Sequence, residues 1–151
     1  MTVVVERLEE LPLASVAPLV SESERAGESF VRRLVDEWES GANRFDRFGE
    51  ALFGARAGGR LVGVCGLNRD PYADDASVGR VRHLYVAAAE RRRGVGGALV
   101  SAVVDAARGT FDEVRLRTRS DEAAAFYESL GFRRTSAVAD CTHVLPLVDR
   151  P

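Results

Sequence analysis

The spacing of apolar residues along the chain predicts a succession of strands and helices. Two stretches repeat apolar residues at the i, i+3, i+4, i+7 spacing of one helix face. These residues are Val31, Leu34, Val35 and Trp38 in the first stretch, and Leu99, Ala102, Val103 and Ala106 in the second. The first helix should span Phe30 to Glu39 and stop at Gly41, with Trp38 packed inward. The second should span Gly97 to Arg108, with Gly109 as its left-handed terminator.

Shorter apolar runs predict the remaining elements. Gly58-Gly59 joins two of these runs and supplies the positive φ of a tight hairpin. Ser120 should cap a last helix that ends at Gly131, with acidic residues in its first turn. The predicted strands are Val3 to Leu8, Ala51 to Ala57, Arg60 to Leu67, Val81 to Val86, Val114 to Thr118, Thr135 to Val138 and Cys141 to Val148. A short helix is expected after Pro12, and a frayed end at Asp149 to Pro151.

Composition favours one domain without a large charge bias. A chain of 151 residues buries ~70% of its unfolded surface, and we expect a single domain over residues 1–151. Its 21 basic and 23 acidic residues give a net charge of −2, so we expect neither nucleic acid nor a membrane as a partner. The chain lacks a long apolar run and a signal-peptide pattern, which indicates a cytoplasmic protein. Cys65 and Cys141 lie in strand-like apolar runs, which favours buried thiols over a disulfide or a metal site.

The loop before the second long helix carries the main functional signal. Its sequence is Arg91-Arg92-Arg93-Gly94-Val95-Gly96-Gly97. Unpaired backbone N–H groups and a partial positive charge at a helix N-terminus suit a phosphorylated ligand, and glycines let that ligand approach the backbone. The loop lacks the Lys-Ser/Thr pair of a P-loop and the spaced third glycine of a dinucleotide fingerprint.

The pattern Arg91-x-x-Gly94-x-Gly96 resembles the Arg/Gln-x-x-Gly-x-Gly/Ala signature of the GNAT acetyltransferase superfamily. Two further segments match that family at its spacing: Leu84-Tyr85-Val86 before the loop, and Ala-Ala-Ala-Phe-Tyr-Glu-Ser-Leu-Gly-Phe over residues 123–132. The resemblance implies an α/β fold with a mixed, mostly antiparallel sheet of about seven strands and helices on both faces. The strand that ends at Val86 should then lie parallel to the strand over 114–118.

The same resemblance implies acetyl-CoA-dependent transfer of an acetyl group to a primary amine by direct attack. Tyr127 matches the family's tyrosine that reaches the coenzyme A sulfur, and it is our expected general acid. The residues expected to bind the cosubstrate are Leu84, Tyr85, Val86, Arg91, Arg92, Arg93, Gly94, Val95, Gly96, Gly97 and Ser120. Ser120 replaces the family's usual asparagine, so its contact should be shorter or water-mediated. A backbone N–H near Val86 would polarise the thioester carbonyl.

The sequence does not identify the general base. Strict alternation in the central strand places Arg80, Arg82, Leu84 and Val86 on one face and Val81, His83 and Tyr85 on the other. By analogy with relatives that carry catalytic groups on this strand, the face of Arg80 and Arg82 is the one toward the substrate, so we expect a structural hydrogen bond from His83 rather than a catalytic role. Where some relatives carry a glutamate, this chain has Arg115. The remaining hypothesis is a water chain that ends at a backbone carbonyl or at a loop carboxylate such as Glu50 or Asp70.

The sequence also does not identify the acceptor amine, which is either a small molecule or a peptide. The loops over 41–50 and 68–77 are candidate walls of its site. The alternative for the first loop is a solvent-exposed segment in which Phe45 and Phe48 pack against the protein. The row Arg115, Arg117 and Arg119 either favours an anionic acceptor or faces water. Many relatives dimerise, which keeps a homodimer open. The alternative function is a non-catalytic acyl-CoA-binding or sensing module.

Overall fold

The computed structural model describes residues 2–148 and contains a seven-stranded sheet in the order β1-β2-β3-β4-β5-β7-β6. The strands are β1 (Val3–Arg7), β2 (Ala51–Ala57), β3 (Arg60–Arg69), β4 (Val78–Val86), β5 (Glu113–Leu116), β6 (Arg133–Arg134) and β7 (His143–Pro146). Neighbouring strands are antiparallel, apart from the parallel pair β4 and β5. The mostly antiparallel sheet and the parallel central pair are therefore confirmed. The frayed end expected at 149–151 lies outside the described residues.

The helices cover both faces of the sheet, as expected. They are α1 (Leu13–Arg25), α2 (Phe30–Ser40), α3 (Val95–Ala107) and α4 (Asp121–Ser129). One buried cluster joins α1 and α2 to the sheet, and a second joins α3 and α4 to it. Since parallel strands need a crossover, α3 connects β4 to β5. Within the described part of the chain, no helix is long and apolar enough to cross a membrane.

Most predicted turn and cap residues have the expected conformation. Gly58 and Gly59 have φ values of 58° and 80° in the β2–β3 hairpin, and Gly41 ends α2 with φ 82°. The Oγ of Ser120 accepts a hydrogen bond from the backbone N of Ala123 at 2.9 Å and so caps α4. Short-range signals therefore identified these boundaries correctly. Both cysteines are buried and free, and the half-buried Trp38 packs against the α1–α2 cluster.

Four local predictions were wrong. Gly109 does not adopt a left-handed conformation, and α3 ends in a right-handed cap at Arg108. The strand expected at 135–138 is replaced by a two-residue strand at 133–134, because the Thr135 hydroxyl accepts from the backbone N of Ala137 and turns the chain. Strand β5 stops at Leu116, since the N–H of Thr118 donates to the Thr142 side chain. Phe48 is 90% exposed, while Phe45 is buried as expected.

The predicted alternation in β4 was also wrong, because the strand contains a β-bulge. Val64 pairs with Tyr85 and Gly66 pairs with Arg82, so Cys65 of β3 faces two residues of β4. His83 adopts a left-handed φ of 60° at this point. As a result, Leu84 and Val86 pack on the α3 side of the sheet, whereas Arg82 and His83 both contact α2.

Candidate active site

The predicted phosphate-binding loop lies at the N-terminus of α3. Arg92 and Gly94 have left-handed φ values of 64° and 81°, so the chain turns sharply just before the helix. The N-cap is Gly94, and the N–H of Ala98 donates to its carbonyl at 3.0 Å. The N–H groups of the first helical turn have no intrahelical acceptor, which makes them available to an anion.

The glycines of the loop serve different purposes. A Cβ on Gly96 would lie 3.3 Å from the ring of Phe126 in α4, so this glycine permits contact between α3 and α4. Gly94 is required by its positive φ. At Gly97 an added Cβ would meet nothing within 4 Å, so open space adjoins the helix there. The helix-start amides, the open space and the nearby arginines can accommodate an anionic group such as a pyrophosphate.

A cleft of about 300 Å³ opens on the β1 side of the same helix end, between Val3, Gly94 and Ala98. The carboxylate of Glu90 lines this cleft and pairs with Arg60 and with Arg93 at 3.4 and 3.6 Å. The two arginines offset the charge of Glu90, so the cleft does not carry a free negative charge from this residue.

Glu22 of α1 holds the end of β4, a contact that the sequence did not reveal. Its carboxylate accepts hydrogen bonds from the hydroxyl of Tyr85 and, at 3.1 Å, from the backbone N of Ala88. The bond from Tyr85 is the main cause of the lowered pKa of Glu22. Arg91 lies over the Tyr85 ring at 5.3 Å, and its Nε donates to the carbonyl of Val86 at 2.9 Å. Glu22 thus fixes the segment that precedes the predicted phosphate-binding loop.

Tyr127 lies in the core beneath α4, where its side chain is 8% exposed. Its ring packs edge-on against Phe126 and Phe132, with centroids 5.1 and 5.5 Å away. Burial, and to a lesser degree the nearby Cys65, raises the pKa of Tyr127 far above 10. Cys65 faces the bulge of β4. The hydroxyl is therefore neutral at ordinary pH and lies near the strand that faces the bulge.

A hydrogen-bond chain fixes α4, and with it Tyr127, to the sheet. The hydroxyl of Thr142 accepts from the N–H of Thr118 and is hydrogen-bonded to Nδ1 of the fully buried His143, at 2.9 Å. The Nε2 of His143 then donates to Glu128 of α4 at 2.8 Å. This contact with His143 is the main reason for the lowered pKa of Glu128.

The parallel strands β4 and β5 pair over only three residues. The last registered pair is Arg80 with Arg115, and β4 continues to Val86 without β5 beside it. The backbone edge of β4 that faces β5 is therefore unpaired with that strand from residue 81 onward. Such an edge can offer N–H donors to a developing oxyanion.

Four of the five arginines considered for the acceptor side pair with carboxylates, whereas the exposed Arg119 has no such pair among the described residues. The pairs are Arg80 with Asp70 at 3.4 Å, Arg82 with Glu37 at 3.6 Å, Arg115 with Glu113 at 2.8 Å, and Arg117 with Asp140 at 3.7 Å. Each carboxylate offsets one positive charge. Within the row, the charges of Arg115 and Arg117 are therefore offset, and that of Arg119 is not.

The two candidate loop bases are occupied by other contacts. Glu50 is buried and accepts from Asn68 and from the backbone N of Arg69, at 3.0 and 2.9 Å. Asp70 accepts from the backbone N of Tyr72 at 2.8 Å and pairs with Arg80. Both carboxylates hold the loops in place, so neither is a convincing base.

His83 makes the structural hydrogen bond that we expected. Its Nδ1 donates to the carbonyl of Phe30 at 3.1 Å, while its Nε2 is buried without a partner. Burial, followed by the charge of Arg82, lowers the pKa of His83 to about 3. The ring is therefore neutral at ordinary pH.

A mixed seven-stranded sheet with a central parallel pair, and a glycine-rich loop at the start of the helix that joins this pair, define the class of fold. A family model described as acetyltransferase (GNAT) domain matches residues 49–134, more than half of the chain. The chain therefore belongs to the GNAT acetyltransferase family.

Individual relatives agree with this assignment. The N-alpha-acetyltransferase RimI of Mycobacterium tuberculosis (strain ATCC 25618 / H37Rv) is 38% identical over 85 residues, which are 54% of this chain and 51% of the relative. The chain thus matches about half the length of that curated relative. A crystal structure from Exiguobacterium sp. 255-15, provisionally described as an acetyltransferase, is 30% identical, with a TM-score of 0.85 over 97% of this chain and 94% of that one.

A more distant structure shares the fold alone. The ribosomal-protein-S18-alanine N-acetyltransferase of Escherichia coli is 16% identical, with a TM-score of 0.71 over 99% of this chain and 97% of that one. At this identity the likeness supports the architecture of sheet and helices and carries no information on the acceptor.

Proposed function

We propose that the protein is an acetyl-CoA-dependent N-acetyltransferase, with one catalytic domain over residues 1–151, that acts on a primary amine by direct attack. The observation that carries the proposal is the position of Tyr127, held near the β4 bulge by a helix that also contacts the phosphate loop. Family membership and the relative from Mycobacterium tuberculosis support acetyl transfer to an amine.

The cosubstrate would supply an acetyl group activated as a thioester. The backbone amides over 92–97 would bind its pyrophosphate, with Arg91, Arg92 and Arg93 as the nearby charges. Leu84 and Val86 would line its path along β4, and Tyr85 would act through its contacts with Glu22 and Arg91. Ser120 would contribute from the start of α4, although its oxygen already caps that helix.

The chemical work of the chain is to position the amine, polarise the carbonyl and protonate the thiolate. Attack forms a C–N bond and breaks the C–S bond. The amine nitrogen loses one proton to water, the thiolate gains one from the Tyr127 hydroxyl, and a proton from water restores that hydroxyl. A backbone N–H on the free edge of β4, near Val86, would stabilise the oxyanion.

Thiol release in the presence of acetyl-CoA and a panel of primary amines tests this function. We expect amine-dependent release of coenzyme A together with N-acetylated product. Tight binding of acetyl-CoA in calorimetry, without release for any amine, would instead favour the non-catalytic acyl-CoA-binding module.

A further inference from the structure

The buried side chain of Arg80 in β4 joins two loops that are far apart in the sequence. One terminal nitrogen of its guanidinium lies 3.4 Å from the carboxylate of Asp70, and the other donates to the carbonyl of Asp140 at 2.9 Å. The guanidinium also lies 4.7 Å from the centre of the Tyr72 ring. Asp70 and Tyr72 belong to the β3–β4 loop, and Asp140 belongs to the β6–β7 loop. One side chain therefore connects both loops.

The position of Arg80 places this connection where β4 and β5 separate. Arg80 and Arg115 form the last registered pair of the two strands, and β4 continues from Val81 without β5 beside it. The hydroxyl of Thr142 accepts from the N–H of Thr118, which holds the end of the β6–β7 loop beside the end of β5. The guanidinium of Arg80 therefore spans the base of the opening, from β4 to a loop at the end of β5.

The side chain of Arg80 points to the α2 side of the sheet. A Cβ on the preceding Gly79 would meet Phe111 of the α3–α4 cluster at 2.8 Å, so the next residue along the strand faces away from α3. Arg82, two residues further along the regular part of β4, likewise contacts Glu37 of α2. The residues at the end of β4 that would line the path of the cosubstrate pack on the α3 side. The loop connection and that path therefore lie on opposite faces of the sheet.

Stability alone explains the pair of Arg80 with Asp70 poorly. Both side chains are buried, that of Asp70 almost completely. Because taking two charges out of water is costly, a buried ion pair is often no more stabilising than apolar side chains of similar volume. A guanidinium adds a planar fork of donors in fixed directions, which can hold a carboxylate and a carbonyl at the same time. The contacts of Arg80 are therefore well suited to fixing the relative position of two loops.

We propose that Arg80 is a positioning residue of the acceptor site, which holds the β3–β4 and β6–β7 loops together across the base of the opened strand pair. The inference rests on the proposed acetyl transfer and identifies the loops that bound the amine on the α2 side. Asp70 and the Tyr72 ring fix one loop, and the carbonyl of Asp140 fixes the other. A shift of either loop should displace the attacking amine and leave the cosubstrate in place.

Arg80→Lys tests the connection, because it keeps a positive charge beside the buried carboxylate of Asp70. A single ammonium group lacks the planar fork, so it cannot hold Asp70 and the carbonyl of Asp140 in the same geometry. Since Asp140 is exposed, water can replace the lost donor, and the melting temperature should change little. We expect kcat/KM for the amine to fall roughly tenfold or more, because a displacement of ~1 Å at a reacting group can cost ~10²-fold. The affinity for acetyl-CoA should not change.

Arg56→Lys is the matched control. Arg56 also bridges a carboxylate and a carbonyl, since it pairs with Glu6 at 2.6 Å and donates to the carbonyl of Gly59 at 3.2 Å. Its contacts join β1 to the β2–β3 hairpin, at the edge of the sheet away from the opened strand pair. We expect a similarly small change in melting temperature and no change in kcat/KM for the amine.

The assay measures thiol release with acetyl-CoA and four primary amines: butylamine, spermidine, lysine and a short peptide with a free N-terminal alanine. Calorimetry measures the affinity for acetyl-CoA on the same preparations. A fall in kcat/KM for the amine that is confined to Arg80→Lys, with the affinity for acetyl-CoA retained, supports the inference. Equal kcat/KM in the two variants, or a matching loss of acetyl-CoA affinity in Arg80→Lys, would overturn it.

Amide hydrogen exchange separates this inference from the proposed function, because it needs no turnover. The N–H of Tyr72 donates to the Asp70 carboxylate at 2.8 Å, and the N–H of Thr142 donates to the carbonyl of Leu116 at 2.9 Å. Both amides should exchange faster in Arg80→Lys than in Arg56→Lys. Unchanged exchange, with thiol release intact, would overturn the inference alone. If the unaltered protein releases no thiol with any amine, the proposed function fails, and with it the assignment of these loops to an acceptor.

Discussion

The substitution Tyr127→Phe separates a proton donor from a packing residue. The ring is 8% exposed and contacts Phe126 and Phe132, and phenylalanine preserves both contacts. Loss of the hydroxyl should therefore change the free energy of unfolding by no more than about 1 kcal/mol, or roughly 2–4 °C in melting temperature. Loss of positioned acid catalysis should lower kcat by ~10²–10⁴, equivalent to ~3–5 kcal/mol of barrier.

The assay measures kcat by thiol release, affinity for acetyl-CoA by calorimetry and melting temperature, all on the same preparation. We expect a large loss of kcat with affinity and melting temperature nearly unchanged. Phe132→Leu is the control, because it disturbs the same packing and leaves the hydroxyl in place. It should lower the melting temperature and leave kcat nearly unchanged. Full activity in Tyr127→Phe would remove Tyr127 from the mechanism.

Three further variants test the loop, its anchor and the bulge. A Cβ at position 97 meets no neighbour within 4 Å, so Gly97→Val should keep the fold but weaken acetyl-CoA binding. Unchanged affinity in calorimetry would exclude the pyrophosphate from that space. Tyr85→Phe removes the hydrogen bond to Glu22 and should lower the free energy of unfolding by ~1–2 kcal/mol. KM for acetyl-CoA should rise by a larger factor than kcat falls. An unchanged KM would contradict a role of the Glu22–Tyr85 contact in holding the loop. The pKa of His83, about 3 against an ordinary 6.5, makes the fold lose stability as pH falls from 6.5 toward 3, by at most roughly 5 kcal/mol. His83→Asn, which tolerates a positive φ, should flatten that dependence in denaturant unfolding, and an unaltered slope would contradict the neutral buried ring.

Local sequence patterns determined the helices, the hairpin and the position of the loop. The i, i+3, i+4 spacing, the glycines at 41, 58 and 59, and the cap at Ser120 act within a few residues, so their effect does not depend on distant neighbours. Two motifs at family spacing then indicated the parallel pair β4 and β5 and the place of Tyr127. The parallel pair thus came from the resemblance to a family of known fold and not from a local pattern.

Only the tertiary structure decided which residues share a face of the site. The bulge at His83 depends on how β3 pairs with β4, and it reverses the alternation that period-2 counting assigns to Leu84 and Val86. The contact of Glu22 with Tyr85 joins residues 63 positions apart, and the pair of Glu37 with Arg82 joins α2 to the central strand. Such contacts arise from packing between elements, and no local pattern in the sequence encodes them.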